Sequence, residues 1–88
     1  MKKIVSVTEV DGEGLPGLLG ENVLIMCGSY FYAGTLAGVN DTCVLLENAK
    51  VVFDTGAYSA NDWTTAESLP GPWYVQTAAI ESFGKSGK

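Results

Sequence analysis

The sequence predicts a mainly β protein built as one small, strongly bent antiparallel barrel. Three observations carry that reading. Residues 21–53 read as three consecutive strands joined by two tight turns. The middle strand of the three contains two glycines. The chain is short, 88 residues, with only 17% charged residues against 47% hydrophobic ones, and typical soluble domains carry about a quarter charged. A chain of this length holds one domain with a core near the lower limit of self-sufficiency. It must hide apolar surface somewhere, and a subunit interface is the economical place.

The elements follow in order. The run 23–27 is apolar at every position, so both of its faces should be covered. Gly28-Ser29 supplies a two-residue turn with glycine first, which suits the mirror-image turns that hairpins prefer. The second run, 30–39, is interrupted by Gly34 and Gly38. Glycine inside a strand marks a sharp bend or a close backbone approach, as at the corner of a small barrel. Asn40-Asp41 makes the next turn, because both side chains can bond their own backbone. Residues 42–46 form the third strand, and 49–53 continue it or begin another.

These residues resemble the Sm-like family, which includes the bacterial RNA chaperone Hfq. The match runs through Gly28, Gly34-Thr35-Leu36, Gly38-Val39, the Asn40-Asp41 turn and Val44-Leu45-Leu46-Glu47-Asn48-Ala49. Together they look like the family's first motif. A second motif is matched in WYVQTAAIESF, residues 73–83, by Tyr74 and Ala79-Ile80. The resemblance implies an SH3-like, five-stranded bent barrel, with a short N-terminal extension and a single domain over 1–88. It also implies self-association into a closed ring of about five to seven subunits. The family's last two strands lie at opposite edges of the subunit and pair with neighbours, which assigns Trp73, Tyr74, Val75, Ile80 and Phe83 to the oligomer interface.

The same resemblance places candidate RNA contacts at two turns. The first corresponds to Asn40, Asp41, Thr42 and Cys43, one residue shorter than the family's Asp-x-x-Met-Asn and lacking its final Asn. The second corresponds to Gln76, Thr77, Ala78 and Ala79, where the family offers Arg-Gly or, in Hfq, Lys-His. Asn40 and Gln76 can hydrogen-bond a base, and Tyr30, Tyr32 or Trp63 can stack on one. Turn capping and interface packing are the structural alternatives for all of them.

Charge weighs against nucleic acid. The chain has five lysines, no arginine, no histidine and ten acids. Lys2, Lys3, Lys85 and Lys88 lie near its ends, so residues 4–84 hold Lys50 alone against ten acids, a net of −9. Phosphate neutralisation by Lys and Arg supplies most nucleic-acid affinity, and Arg is the favoured group for phosphate and base recognition. DNA is not an expected partner, and single-stranded RNA is expected only if a local site compensates. The competing reading keeps the ring and drops the RNA, giving a structural or protein-binding assembly similar to small acidic phage-encoded accessory proteins.

Other chemistry is not encoded. Catalysis would need a histidine, a nucleophile elbow, a phosphate loop or a metal-ligand spacing, and none is present, so neither enzyme activity nor a metal or cofactor is expected. Cys27 and Cys43 are separated by a whole strand, beyond disulfide reach, and with no histidine they do not complete a zinc site. Buried free thiols suit a reducing interior. The opening residues are too briefly apolar for a signal peptide, and no run reaches membrane-spanning length. The expected location is the cytoplasm of a bacterial or phage-infected cell, with no membrane partner.

Three segments fall outside the barrel pattern. Residues 4–10 alternate as a short extra strand. In the following stretch Leu15, Leu18 and Leu19 have helical spacing, but Gly17 and Gly20 each cost about 1 kcal/mol against Ala. One turn is expected there, its leucines capping an open end of the barrel. Residues 54–72 read as a long loop inserted between the third and fourth strands, with a brief helix allowed at 59–62. Its aromatics, Tyr58 and Trp63, either tuck against the barrel or a neighbouring subunit, or form a partner-binding patch. Residues 73–78 and 79–83 are the last two strands, bent apart at Thr77-Ala78-Ala79.

Overall fold

The computed structural model describes residues 14–88; the strand expected at 4–10 lies outside the described residues. Six strands follow one another: β1 (Asn22–Cys27), β2 (Phe31–Val39), β3 (Cys43–Asp54), β4 (Thr65–Ser68), β5 (Trp73–Gln76) and β6 (Ile80–Lys85). They form one antiparallel sheet in the order β4-β3-β2-β1-β6, with β5 also paired to β3. The expected bent antiparallel sheet is therefore present. The stretch expected to be all loop contributes a sixth short strand, β4.

Sequence chemistry explains the bending. β3 is twelve residues long, and its two halves serve different partners. Residues Cys43 to Leu46 pair with β5, whereas Lys50 to Asp54 pair with β4. The break falls at Asn48, a non-glycine residue with φ of 51°, which Asn tolerates better than most residues. Across from it, β2 slips register between Ala33 and Thr35. Gly34 sits at that slip, and a Cβ there would come within 2.9 Å of the Glu47 carbonyl oxygen. Glycine is required because the kinked β3 backbone leans onto β2. A second register slip, between Leu36 and Gly38, completes the curl.

The apolar run 23–27 of β1 is covered on both faces, as its composition predicts. Val23, Ile25 and Cys27 enter a core with Leu36, Val44, Leu46, Ala49 and Val75. Leu24 enters a second core with Ala33, Val52 and Trp63, flanked by Met26 and Phe31. A single 3₁₀ turn, Pro16–Leu18, precedes β1. Leu15, just before the turn, and Leu18, within it, pack on the first core, while Leu19 is exposed. The residues at 59–62 form a turn, closed by the Ala60 N–H donating to the Ala57 carbonyl at 3.0 Å, and not a helix.

The β1–β2 turn sits at Gly28-Ser29, where the Cys27 N–H donates to the Tyr30 carbonyl at 3.0 Å. Gly28 does not adopt a positive φ, however, so this is not the mirror-image turn that its glycine suggests. Nothing lies within 4 Å of the position its Cβ would take.

Candidate functional site

One end of the barrel is built by two turns that meet. After β2, Asn40 folds its side chain over the turn, and its Oδ1 accepts from the Thr42 N–H at 2.8 Å, the Thr42 hydroxyl at 3.1 Å and the Cys43 N–H at 2.9 Å. The Asn40 N–H donates to the Cys43 carbonyl at 3.0 Å. Register then brings in the second turn, because Cys43 pairs with Gln76. Beyond Gln76 the short 3₁₀ turn Thr77–Ala79 is tied back to the first. The Thr77 N–H donates to the Thr42 carbonyl at 2.9 Å, and its hydroxyl donates to the Asp41 carbonyl at 3.1 Å. Asn40, Asp41, Thr42 and Gln76 thus lie side by side.

Their chemistry is amide and carboxylate. The Asn40 side-chain oxygen is committed to the turn, so its outward capacity is that of the NH₂ donor, while the exposed Gln76 offers both a donor and an acceptor. The Asp41 carboxylate only accepts. Such groups can address the polar edge of a base and have nothing to neutralise a phosphate. Lys50 belongs to the other half of β3, past the Asn48 bend, where it pairs with Ala33 and Ser68.

Beside these turns lies an open cleft of about 410 Å³ in which Tyr30, Tyr32, Trp73, Tyr74 and Gln76 meet. The Tyr30 and Tyr32 rings are 6.4 Å apart and tilted by 54°. Burial pushes the Tyr32 hydroxyl above its ordinary pKa, and Cys27 and Tyr30 add to the shift. Burial likewise raises the Cys27 thiol. Both groups are therefore neutral near pH 7. Cys27 and Cys43 are free thiols, the first buried and the second half-buried.

The residues expected at an oligomer interface divide. Tyr74, Phe83 and Trp73 are 66%, 42% and 36% exposed. Val75 is buried in the subunit's own core, whereas Ile80 packs against that core and stays half-buried. Among the described residues β5 pairs only with β3 and β6 only with β1, which leaves one edge of each without a partner strand. Of the loop aromatics, Tyr58 is exposed and Trp63 is buried at 8%. Trp63 packs against Leu24, Ala33 and Val52 of its own subunit, in line with the alternative that it tucks against its own barrel.

No group of residues able to hold a metal ion occurs among the described residues. No helix among them is long and apolar enough to cross a membrane. Tyr30 and Tyr32, expected as stacking residues, and Trp73, expected at the oligomer interface, share one cleft, which the sequence reading missed. The cleft depends on the register of β5 on β3, which no local pattern encodes.

No family model matches this sequence, and no curated protein matches it. The fold does have solved counterparts. The P. aerophilum SmAP1 heptamer is 18% identical, with 81% of this chain and 85% of that one covered and a TM-score of 0.62. The Pyrococcus abyssii Sm protein in complex with a uridine heptamer is 15% identical, with 81% and 90% covered and a TM-score of 0.60. At such identities the likeness is one of fold, and the fold is Sm-like.

Proposed function

We propose that this Sm-like subunit closes head-to-tail into a homo-oligomeric ring that serves as a structural or protein-binding assembly. The observation that carries the reading is that, among the described residues, β5 and β6 each have one edge without a partner strand and each carry exposed aromatic side chains. An uncovered strand edge templates pairing with another chain. Two different edges on one subunit give a heterologous contact, which closes into a ring when the rotation per step allows. Trp73 and Tyr74 on one side and Phe83 on the other supply apolar surface for that contact. The P. aerophilum protein, of the same fold, is a heptamer, within the expected range of about five to seven. The acidic, arginine-free body favours a ring that does not depend on nucleic acid.

Native mass spectrometry tests this directly. The expected species is a single ring that is a whole multiple of the 9.3 kDa subunit. Tyr74→Glu, at an exposed position, should dissociate it into folded subunits. A folded monomer of the unaltered chain at micromolar concentration would overturn the proposal.

A second reading, binding of single-stranded RNA, is favoured by the convergence of Asn40, Asp41 and Thr42 with Gln76, and by the fold's occurrence in a protein that binds a uridine heptamer. Its expected signature is a ring mass that rises by one short U-rich or A-rich oligonucleotide and loses it with added salt. Gln76→Ala should weaken that binding without changing ring mass. A ring that ignores both RNAs leaves the structural role standing alone.

A further inference from the structure

The segment between β3 and β4 does more than cover the second core. Its backbone is shaped by its own carboxylates. Asp54 Oδ1 accepts from the Gly56 N–H at 3.0 Å, and Asp62 Oδ1 accepts from the Trp63 N–H at 2.8 Å. Gly56 is left-handed, with φ of 63°, and a Cβ there would collide with the Thr64 hydroxyl. In this conformation the carbonyls of Thr55, Ala57 and Asp62 converge on one point beside the face of Trp63.

An ammonium group occupies that point. Lys88 Nζ donates to the Ala57 carbonyl at 2.8 Å and lies 3.4 Å and 3.5 Å from those of Thr55 and Asp62. It sits 4.3 Å from the centroid of the Trp63 ring. Three carbonyls match the three N–H donors of a primary ammonium, and indole has the aromatic face that attracts cations best. A planar guanidinium, whose donors diverge in a fork, matches such a converging set less well. The carboxylates of Asp54 and Asp62 add negative charge to the same loop.

The approach of Lys88 is also built. The Ser86 N–H donates to the Asn22 carbonyl at 2.9 Å, which fixes the chain as it leaves β6. The Ser86 hydroxyl then bonds both the Lys88 N–H and the Lys88 carbonyl, at 3.1 and 3.0 Å, around a left-handed Gly87. Next to the cage runs a groove of about 300 Å³ bordered by Leu24, Met26, Tyr58, Trp63 and Phe83. It offers apolar surface along which the methylene stem of an alkylammonium ligand can lie.

We propose that loop 55–63 is an alkylammonium-binding site whose ligand class is the lysine side chain, and that Lys88 is its built-in occupant. Lys88 straps the loop over the second core. Because it is tethered, it holds the site at a high effective concentration, so a free alkylamine enters only when Lys88 is absent. This inference does not depend on ring formation or on RNA.

The test uses the full chain carrying Lys88→Ala and follows the Trp63 indole N–H resonance together with amide exchange across 55–63. The substitution should shift the resonance and speed exchange in the loop. Titration with n-butylammonium chloride, a lysine side-chain analogue, should restore both saturably, while equal concentrations of sodium chloride do not. Tetramethylammonium, which has no N–H to donate, should bind at least about tenfold more weakly. The unaltered protein should not respond to n-butylammonium over the same range. A Trp63 resonance unmoved by Lys88→Ala would overturn the proposal. So would an n-butylammonium effect no larger than that of sodium chloride, or one matched by tetramethylammonium.

Discussion

The two faces of β1 are covered in different ways. On one face Val23 and Ile25 meet Leu36, Val44, Leu46 and Val75, side chains drawn from β2, β3 and β5 and fully or almost fully buried. On the other face Leu24 meets Ala33, Val52 and a single residue from outside the early strands, Trp63. The first core is made by strands that also hydrogen-bond one another, so it cannot open without unzipping the sheet. The second depends on a loop laid over the sheet and held from above by Lys88. One strand therefore takes part in a globally cooperative core and in a core whose cover can lift locally.

The largest effect expected from this contrast is at Ile25. It is fully buried, and Ile25→Ala should cost about 3–4 kcal/mol in denaturant unfolding, the range for truncating a large core side chain. The loss should be global, with exchange protection falling in β1, β2 and β3 together. Trp63→Ala removes more volume, yet its cost should saturate at about 2–3 kcal/mol, because the loop can open before the barrel does. Exchange should rise in 54–68 and stay low in β1 and β2, and assembly should persist. A uniform loss of protection in Trp63→Ala would show that the two cores form one cooperative unit. A collapse to monomers would place Trp63 at the subunit interface.

Gly34→Ala probes the bend on which the first core depends. The new methyl would press on the Glu47 carbonyl oxygen and the Ala49 Cα, both backbone atoms of the kinked β3, so relief requires the strands to part. About 1–3 kcal/mol of destabilisation is expected, the usual cost of overpacking. Gly38→Ala, whose Cβ would find its nearest neighbour at 3.6 Å, should cost less. If the two cost the same in urea denaturation, the glycine requirement would lie in strand flexibility and not in close approach.

Much of this was legible locally. The apolar run at 23–27 announced a strand covered on both faces, Gly34 announced the close approach, and Asn40 announced a turn that bonds its own backbone. What stayed hidden depends on contacts distant in sequence. β4 is four residues, Thr-Ala-Glu-Ser, all exposed, so neither hydrophobicity nor alternation marks it, and only pairing with β3 makes it a strand. Trp63 could be read as packing on the barrel or a neighbour, or as part of a partner-binding patch, because its cover of Leu24 and Val52 is set by loop geometry. The meeting of Asn40, Asp41 and Thr42 with Gln76 follows from β5 pairing with one half of a strand whose other half pairs elsewhere. A bend at Asn48 decides that, and a single asparagine in an apolar strand is too common to announce it.

The smallest effect separates the two faces by pH. Cys27 belongs to the first core, and burial raises its thiol above the ordinary value of 9.0. A thiol whose folded pKa is raised resists ionisation in the native state. Its contribution is therefore intact below the unfolded pKa and is lost as pH rises through the folded one, since the unfolded chain ionises first. Tyr32, raised from 10.0 by burial first, acts in the same direction at higher pH. Urea midpoints measured from pH 7 to about 10.5 should be flat up to about pH 8.5 and fall above it. Cys27→Ala should lower the plateau by removing core volume and make the initial alkaline decline shallower. The difference between the two profiles is the informative quantity, because lysine deprotonation is common to both. Parallel profiles would mean that the Cys27 thiolate is solvated in the folded barrel, and that the first core admits water where the packing of β1, β3 and β5 says it does not.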